Sequence, residues 1–294
     1  MRCNGNEQLN RFSFPDWVVE CIQKTSGEYS AGSSDYTATS LLKPPYLKNL
    51  EALHREEIVV DPADQVASVL GTAVHAQWEK CLKSNPRYIV EERFYREIDG
   101  YKIGGQIDLY DKETKTLWDT KTTSVYKIIK SDDHFDFEGQ LATNRWIMQA
   151  NGIQVDRVAI ACFINDWRRS EARRDSAYPQ SRFHEMHIPL WSFEDTEKFI
   201  RERIHLHEQA KRGFAATCSE KERWSRPKSF RVLKEGRKTA VRVLDNEPDA
   251  IQLTASLGKG HSVEIREGED IRCDSYCSVN KWCSRYQSKN GKAD

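Results

Sequence analysis

Within residues 104–123, "GGQIDLYDKETKTLWDTKTT", the charged side chains Asp108, Asp119 and Lys121 stand where strands ordinarily carry apolar ones. Residues two apart on a strand share a face, so Asp119 and Lys121 project together with Leu117, while Trp118 and Thr120 point the other way. Asp108, on the preceding strand, can reach the same region. Facing carboxylates repel unless a cation sits between them, and oxygen donors of this kind suit Mg²⁺ or Mn²⁺, which also keep bound waters. A lysine beside such an ion orients or deprotonates an attacking water and stabilises charge developing on phosphorus. The chemistry that fits is hydrolysis of a phosphodiester. Asp-x-Lys by itself reads more often as the solvated face of an antiparallel sheet, so the neighbouring residues decide.

Gly105 stands three residues before Asp108, where a missing side chain would let another backbone or a phosphate come close. His75 falls on an upstream amphipathic segment, one turn from Glu79, and Gln140 on a downstream one. Alone, His75 reads as a buried helix histidine, and Glu79 and Glu92 read as solvated. The acidic run "SDDHFDFEG", with His134, is what a helix macrodipole favours at its start, and it is given no ligand role. Near the C-terminus Cys273, Cys277 and Cys283 crowd into one segment beside Tyr276 and Trp282. Thiolates so close imply a soft metal, against the alternative of free thiols packed on aromatic rings. Basic residues gather at Arg168, Arg169, Arg173 and Arg174, and again at Lys228, Arg231, Lys234, Arg237, Lys238 and Arg242. Such runs are usually solvated faces. Beside a phosphodiester-cleaving site they become phosphate contacts, Arg168, Arg169, Lys234, Arg237 and Lys238 foremost.

The elements that must position these groups follow from pattern. With 294 residues, 38% apolar and 31% charged, the chain is expected to be soluble and able to bury a core. Its formal net charge of zero leaves nucleic-acid binding to local basic patches. No apolar run approaches the roughly 18 residues of a spanning helix, and the N-terminus lacks a secretory pattern, so an intracellular protein without a membrane partner is expected. Eight cysteines are too few for a disulfide scaffold in a chain of this length. Residues 1–39, ending in the Gly/Ser-rich "SGEYSAGSSDY", read as an N-terminal arm. Pro44 and Pro45 precede Leu47, Leu50 and Leu53 at helical spacing, and Val74, Trp78 and Leu82 make "GTAVHAQWEKCLKS" an amphipathic helix. Asp99-Gly100 and "DKET" are turns that divide residues 87–123 into a three-stranded antiparallel meander. A helix over "FDFEGQLATNRWIMQANG", a buried strand at "DRVAIACFIND", an edge strand at "EMHIPLW" and a long helix capped by Ser192 and Asp195 complete a core with a central mixed sheet over residues 40–213. Residues 214–294 form a small α+β unit: a basic hairpin, a helix, a strand and the cysteine-rich end.

In order and spacing, "GTAVH" ending in His75, "GGQID" ending in Asp108, "DTK" with Asp119 and Lys121, and "QLATN" beginning at Gln140 resemble the PD-(D/E)XK nuclease superfamily. The match is to its RecB-like exonuclease branch, which includes CRISPR-associated exonucleases and many phage and prophage nucleases. It covers roughly residues 40–165. The resemblance implies an α/β restriction-endonuclease-like core, with its central mixed β-sheet flanked by helices. It implies metal-dependent DNA hydrolysis, exonucleolytic in mode, in phage or prophage replication, recombination or repair. A structure-specific endonuclease on the same site, or a noncatalytic DNA-binding subunit, are the alternatives. The partners implied are DNA, as single strands or duplex ends, with a helicase or recombination protein, in the cytoplasm of a bacterium or phage-infected host. His75, Asp108, Asp119 and the backbone carbonyl of Thr120 would bind Mg²⁺ or Mn²⁺, Lys121 would be the catalytic lysine, and Gln140 would place DNA or support the site. Asn144 departs from the family, which carries an aromatic residue there. The branch also holds a [4Fe–4S] cluster with one upstream cysteine and three near the C-terminus. Here Pro44 occupies the upstream position, and Cys218 is the next candidate to join Cys273, Cys277 and Cys283, around either a cluster or structural zinc.

Overall fold

The computed structural model describes residues 10–27, 31–130, 135–214 and 216–291, so Cys3 and His134 lie outside the described residues. In chain order the elements begin with α1 (Asp16–Gly27), β1 (Tyr36–Thr37), α2 (Ala38–Leu42), α3 (Pro45–Leu53), α4 (Pro62–Leu82), β2 (Tyr88–Ile98), β3 (Tyr101–Asp111) and β4 (Thr116–Thr123). They continue with α5 (Val125–Lys130), α6 (Phe135–Ala150), β5 (Arg157–Ile164), α7 (Arg169–Arg174), β6 (Phe183–Ile188) and α8 (Phe193–Lys211). The remainder is α9 (Glu220–Arg223), β7 (Ser225–Arg226), β8 (Ser229–Lys234), β9 (Arg242–Leu244), α10 (Glu247–Leu257), β10 (His261–Arg266), β11 (Glu269–Asp270), α11 (Ile271–Ser275) and α12 (Ser284–Lys289).

These elements form two compact units. One contains the described residues up to Lys43 together with Val59–Arg212, and the other contains Pro44–Ile58 with the described residues from Gly213 onward. The partition differs from the expected 1–39, 40–213 and 214–294 at two places. The supposed arm supplies α1, which packs on α4, and β1, which joins the central sheet. Residues 44–58 belong with the C-terminal unit, because the Leu47 and Leu50 stripe of α3 is covered by Val279 and by Cys218, Cys277 and Cys283.

The first unit is a mixed α/β fold whose six-stranded sheet runs β1-β3-β4-β5-β6, with β2 paired to β3. Pairings β2–β3, β3–β4 and β5–β6 are antiparallel, whereas β1–β3 and β4–β5 are parallel. Asp99 (φ 50°) and Gly100 (φ 80°) make the two-residue turn of the expected meander, both in the left-handed region that such hairpins require. Helices flank the sheet. From α6, Leu141 and Met148 bury against Leu117, Ile160 and Cys162. On the other face, Trp78 of α4 meets Phe163 with ring centroids 5.3 Å apart. Helix α8 starts as expected, with Ser192 Oγ accepting the Asp195 N–H at 2.9 Å.

One feature of the sheet prepares the site. Strand β3 is paired along one edge by β2, and on its other edge β4 pairs only at Leu109↔Trp118, Tyr110↔Leu117 and Asp111↔Thr116. Beyond that point β4 leaves β3, and β1 takes up the edge at Ile103 and Gly104. The first residues past the fork are Asp108 and Asp119.

In the second unit β10, β8 and β9 form a three-stranded sheet that α10 covers, burying Phe230, Val232 and Ala250. The expected basic hairpin is β8 with β9. Among the described residues no helix is long and apolar enough to cross a membrane.

Candidate active site

At the fork the lost ladder bond is replaced by a side chain: the Thr120 N–H donates to Asp108 Oδ2 at 2.7 Å. Asp108 in turn lies 3.7 Å from His75 Nδ1, and His75 Nδ1 is 2.8 Å from Glu91 Oε1. The second oxygen of Glu91 accepts from Gln106 Nε2 at 2.7 Å, and Gln106 Oε1 accepts from Arg93 at 2.6 Å. Donor atoms of His75, Glu91 and Asp108 come within 4.8 Å of one another, and among the described residues theirs is the group of His, Cys, Asp and Glu donors that does so. An imidazole and two carboxylates at that spacing fit a divalent cation that accepts oxygen and nitrogen.

Nothing in residue type or local pattern marks Glu91 apart from its neighbours, and Glu79 and Glu92 are the acids the sequence offers nearby. Glu79 pairs with Lys83 at 2.5 Å and Glu92 is exposed, in keeping with their solvated reading. Glu91 reaches the site through a backbone inversion, its φ being 51° in the middle of β2. The register held a signal for it. From Ile98↔Tyr101 through Glu92↔Ile107 and Val90↔Leu109, the pairing sets Glu91 opposite Asp108.

Asp119 and Lys121 do share a face: Lys121 Nζ sits 2.6 Å from Asp119 Oδ2. Gln140 Nε2 donates to the other oxygen, Asp119 Oδ1, at 2.7 Å. Asp119 is therefore beside the donor group and tied to Lys121 and Gln140, rather than one of its mutually close members. Asn144, one turn beyond Gln140 on α6, is buried, and its Oδ1 has no hydrogen-bond partner. It also corrects the reading of Gly105. A Cβ there would collide with Asn144 Oδ1 and come within 3.1 Å of Ile147 Cδ1, so the glycine makes room for α6 and not for a phosphate.

The electrostatics follow from crowding acids in a half-enclosed place. Burial, and then the Asp119 charge, push the Asp108 carboxyl up to about 7 against the pull of His75, the Thr120 N–H and Lys121. The hydrogen bond to Glu91 holds the His75 imidazole above its ordinary value, with help from Asp108. Burial is the largest influence on Glu91 and raises it, but the bonds from His75 and Gln106 and the His75 charge together bring it below the ordinary value. Burial disfavours the Lys121 ammonium most of all, yet Asp119 and Asp108 outweigh it and hold the amine protonated. The site opens on a cleft of about 770 Å³ lined by His75, Glu91, Asp108, Lys121, Gln140 and Asn144, with the small residues Ala67, Ser68, Gly71 and Thr72 of α4 on one wall.

Within the second unit Cys218, Cys273, Cys277 and Cys283 line one small cavity of about 30 Å³ with Leu47, Leu50 and Val279. Burial pushes the Cys218 and Cys273 thiols up to about 11, and raises Cys277 as well. No three of the four sulfurs lie within 4.8 Å of one another. Arg168 and Arg169 are exposed around the start of α7, and Lys234, Arg237 and Lys238 are exposed at the β8 turn.

No family model matches this chain, and no curated protein does. Among solved structures, the chain is similar to the crystal structure of SSO0001 at 19% identity and a TM-score of 0.42, over 65% of this chain and 85% of that one. It is also similar to a phage related exonuclease from Haemophilus somnus 129PT at 14% identity and a TM-score of 0.28, over 58% and 93% respectively. Likeness at that level assigns no chemistry, so a functional reading stands on the site itself.

Proposed function

We propose that this protein is a divalent-metal-dependent nuclease of the restriction-endonuclease-like kind, hydrolysing phosphodiester bonds in DNA as an exonuclease. The observation that carries the reading is the convergence of His75, Glu91 and Asp108 donors within 4.8 Å, on the wall of an open cleft shared with Lys121. Mg²⁺ or Mn²⁺ held by these residues, with Asp119 adjoining, would polarise a phosphoryl oxygen and lower the pKa of a bound water. Lys121, 2.6 Å from Asp119, would offset negative charge building on the phosphate. Gln140 fixes the Asp119 carboxylate, which in turn aims Lys121. The Thr120 N–H bond keeps Asp108 turned toward His75. The Thr120 carbonyl is the further ligand this reading includes. Exposed Arg168, Arg169, Lys234, Arg237 and Lys238 would supply phosphate contacts.

The same proposal gives the cysteines a metal. Tetrahedral zinc with bonds of about 2.3 Å needs sulfurs roughly 3.8 Å apart. Four thiols around one cavity would hold either a [4Fe–4S] cluster, whose sulfur ligands stand farther apart than those of zinc, or structural zinc after the sulfurs draw together. Cys218 completes the set that Pro44 does not.

The experiment incubates purified protein with end-labelled linear and covalently closed circular DNA, with and without Mg²⁺ or Mn²⁺. Metal-dependent shortening of linear DNA, with circles intact, is the expected result. Asp119→Ala and Lys121→Ala should each lower turnover by at least 10²-fold while circular dichroism stays unchanged, because Lys121 acts on charge that forms in the transition state and Asp119 aims it. Undiminished turnover in either variant rejects the mechanism, and rapid nicking of circles replaces the exonuclease with an endonuclease.

A further inference from the structure

On the sheet face opposite Asp119 and Lys121 lies a second hollow, of about 240 Å³, whose apolar wall is Trp78, Leu82, Leu109, Trp118, Phe163 and Phe183. His75, Glu91, Asp108 and Thr120 line it too, so it adjoins the same donor group as the larger cleft. Its construction follows from register. Leu109↔Trp118 and Phe163↔Phe183 are cross-strand partners and therefore share faces, while Trp78 stands one turn beyond His75 on α4. The ring centroids of Trp78 and Phe163 are 5.3 Å apart, and those of Phe163 and Phe183 are 5.5 Å apart. Phe183 remains 47% exposed. Trp78 and Phe163 pack α4 on the sheet, yet with Phe183 they leave ring surface open to the hollow, next to two carboxylates and an imidazole. They offer π-faces beside a place suited to phosphate chemistry.

We infer that this hollow takes an unstacked nucleobase adjoining the scissile phosphate, and that the substrate is accordingly a single strand or the frayed end of a duplex. The inference rests on the nuclease reading and makes its substrate narrower. A base paired within a duplex is stacked on both sides and has no free face to present, whereas an unpaired base exchanges water for an aromatic surface. Recognition would be indifferent to sequence, since every base has a π-face and the groove's apolar wall provides no base-edge code.

The test measures binding apart from cleavage. Wild-type protein, with Ca²⁺ replacing Mg²⁺, is titrated by fluorescence anisotropy with a labelled oligothymidylate and with an oligonucleotide of equal length built from abasic residues, which keeps every phosphate. The oligothymidylate should bind about tenfold or more tightly, in line with roughly 1–3 kcal/mol per stacked base. Phe183→Ala, at a half-exposed position that tolerates truncation, and Trp78→Ala should each narrow that gap, and Trp78→Phe should restore it. Equal affinity of the two oligonucleotides overturns the inference, as does binding of neither, or a gap that both alanine variants leave intact. So does a dimer in sedimentation that Phe183→Ala dissociates, which would give the hollow to a second copy of the chain. The two readings fail separately. Cleavage in Mg²⁺ without base-dependent affinity removes only the base site, while base-dependent affinity without cleavage removes the nuclease reading and leaves the hollow as a base-binding site with no scissile phosphate beside it.

Discussion

Glu91 shows how a single backbone angle assembles chemistry. A non-glycine residue at φ 51° inside a strand carries a conformational cost on the order of 1 kcal/mol, and here the inverted backbone is what turns the carboxylate toward His75. Replacing Glu91 by Ala removes the carboxylate and keeps the strain; replacing it by Gly removes both. Glu91→Gly should therefore be about 1 kcal/mol more stable to urea than Glu91→Ala, while calorimetry finds Mn²⁺ binding weakened at least tenfold in each. Equal stability of the two variants would show that the angle stores nothing. The sequence pointed to His75, Asp108, Asp119, Lys121 and Gln140 through residue type and order. It left Glu91 out, because neither glycine nor asparagine marks the inversion and only the register counted back from Asp99-Gly100 places that side chain opposite Asp108.

The strands and the long helix were legible because their signals are local: a two-residue turn, a continuous apolar run, and a serine that caps α8. Elements whose existence depends on distant partners were not. Strand β1 is two residues long and exists only because β4 vacates the edge of β3. Helix α4 begins well before "GTAVH", at Pro62 with Asp61 as its cap, the Asp61 side chain accepting the Ala63 N–H. The meander has a fastener of its own where β2 begins and β3 ends. Arg87, entering β2, donates from Nε to Asp111 Oδ1 at 2.8 Å, and its Nη2 stands 2.5 Å from Oδ2, closing on the last residue of β3. That hydrogen bonding holds the Asp111 carboxyl down to about 2, from an ordinary 3.8. A depressed carboxylate contributes stability that is fully present above its unfolded value and is lost as pH falls through its folded one. Asp111→Asn should thus be less stable than wild type by about 1–2 kcal/mol at pH 7. The gap should hold steady down to about pH 5 and narrow between pH 4 and pH 2, as read from urea midpoints along the series. A gap unchanged at pH 3 would exclude the ion pair as its source.

The two compact units carry donor sets of opposite character, and the difference in hardness decides how each responds to treatment. Imidazole and carboxylate donors in the first unit suit an exchangeable divalent ion, and the four thiols around the small cavity in the second suit a soft metal held tightly. Metal bound by thiolates is also folding energy, because the unfolded segment offers no preformed site, whereas the first unit has a buried core of its own from Ile107 to Ile188 and does not depend on an ion to fold. Brief EDTA should accordingly stop cleavage, and Mg²⁺ or Mn²⁺ should restore it, with no change in the iron or sulfide content of anaerobically purified protein. Cys277→Ser should do the reverse. Metal content should fall, the visible absorption of a cluster should disappear, and hydrogen exchange should quicken across α3 and across residues 216–291, while calorimetric Mn²⁺ binding at His75, Glu91 and Asp108 persists. If wild-type protein carries neither iron nor zinc, and Cys277→Ser exchanges no faster than wild type, the cysteines are packed thiols and the soft-metal site is withdrawn without touching the nuclease site.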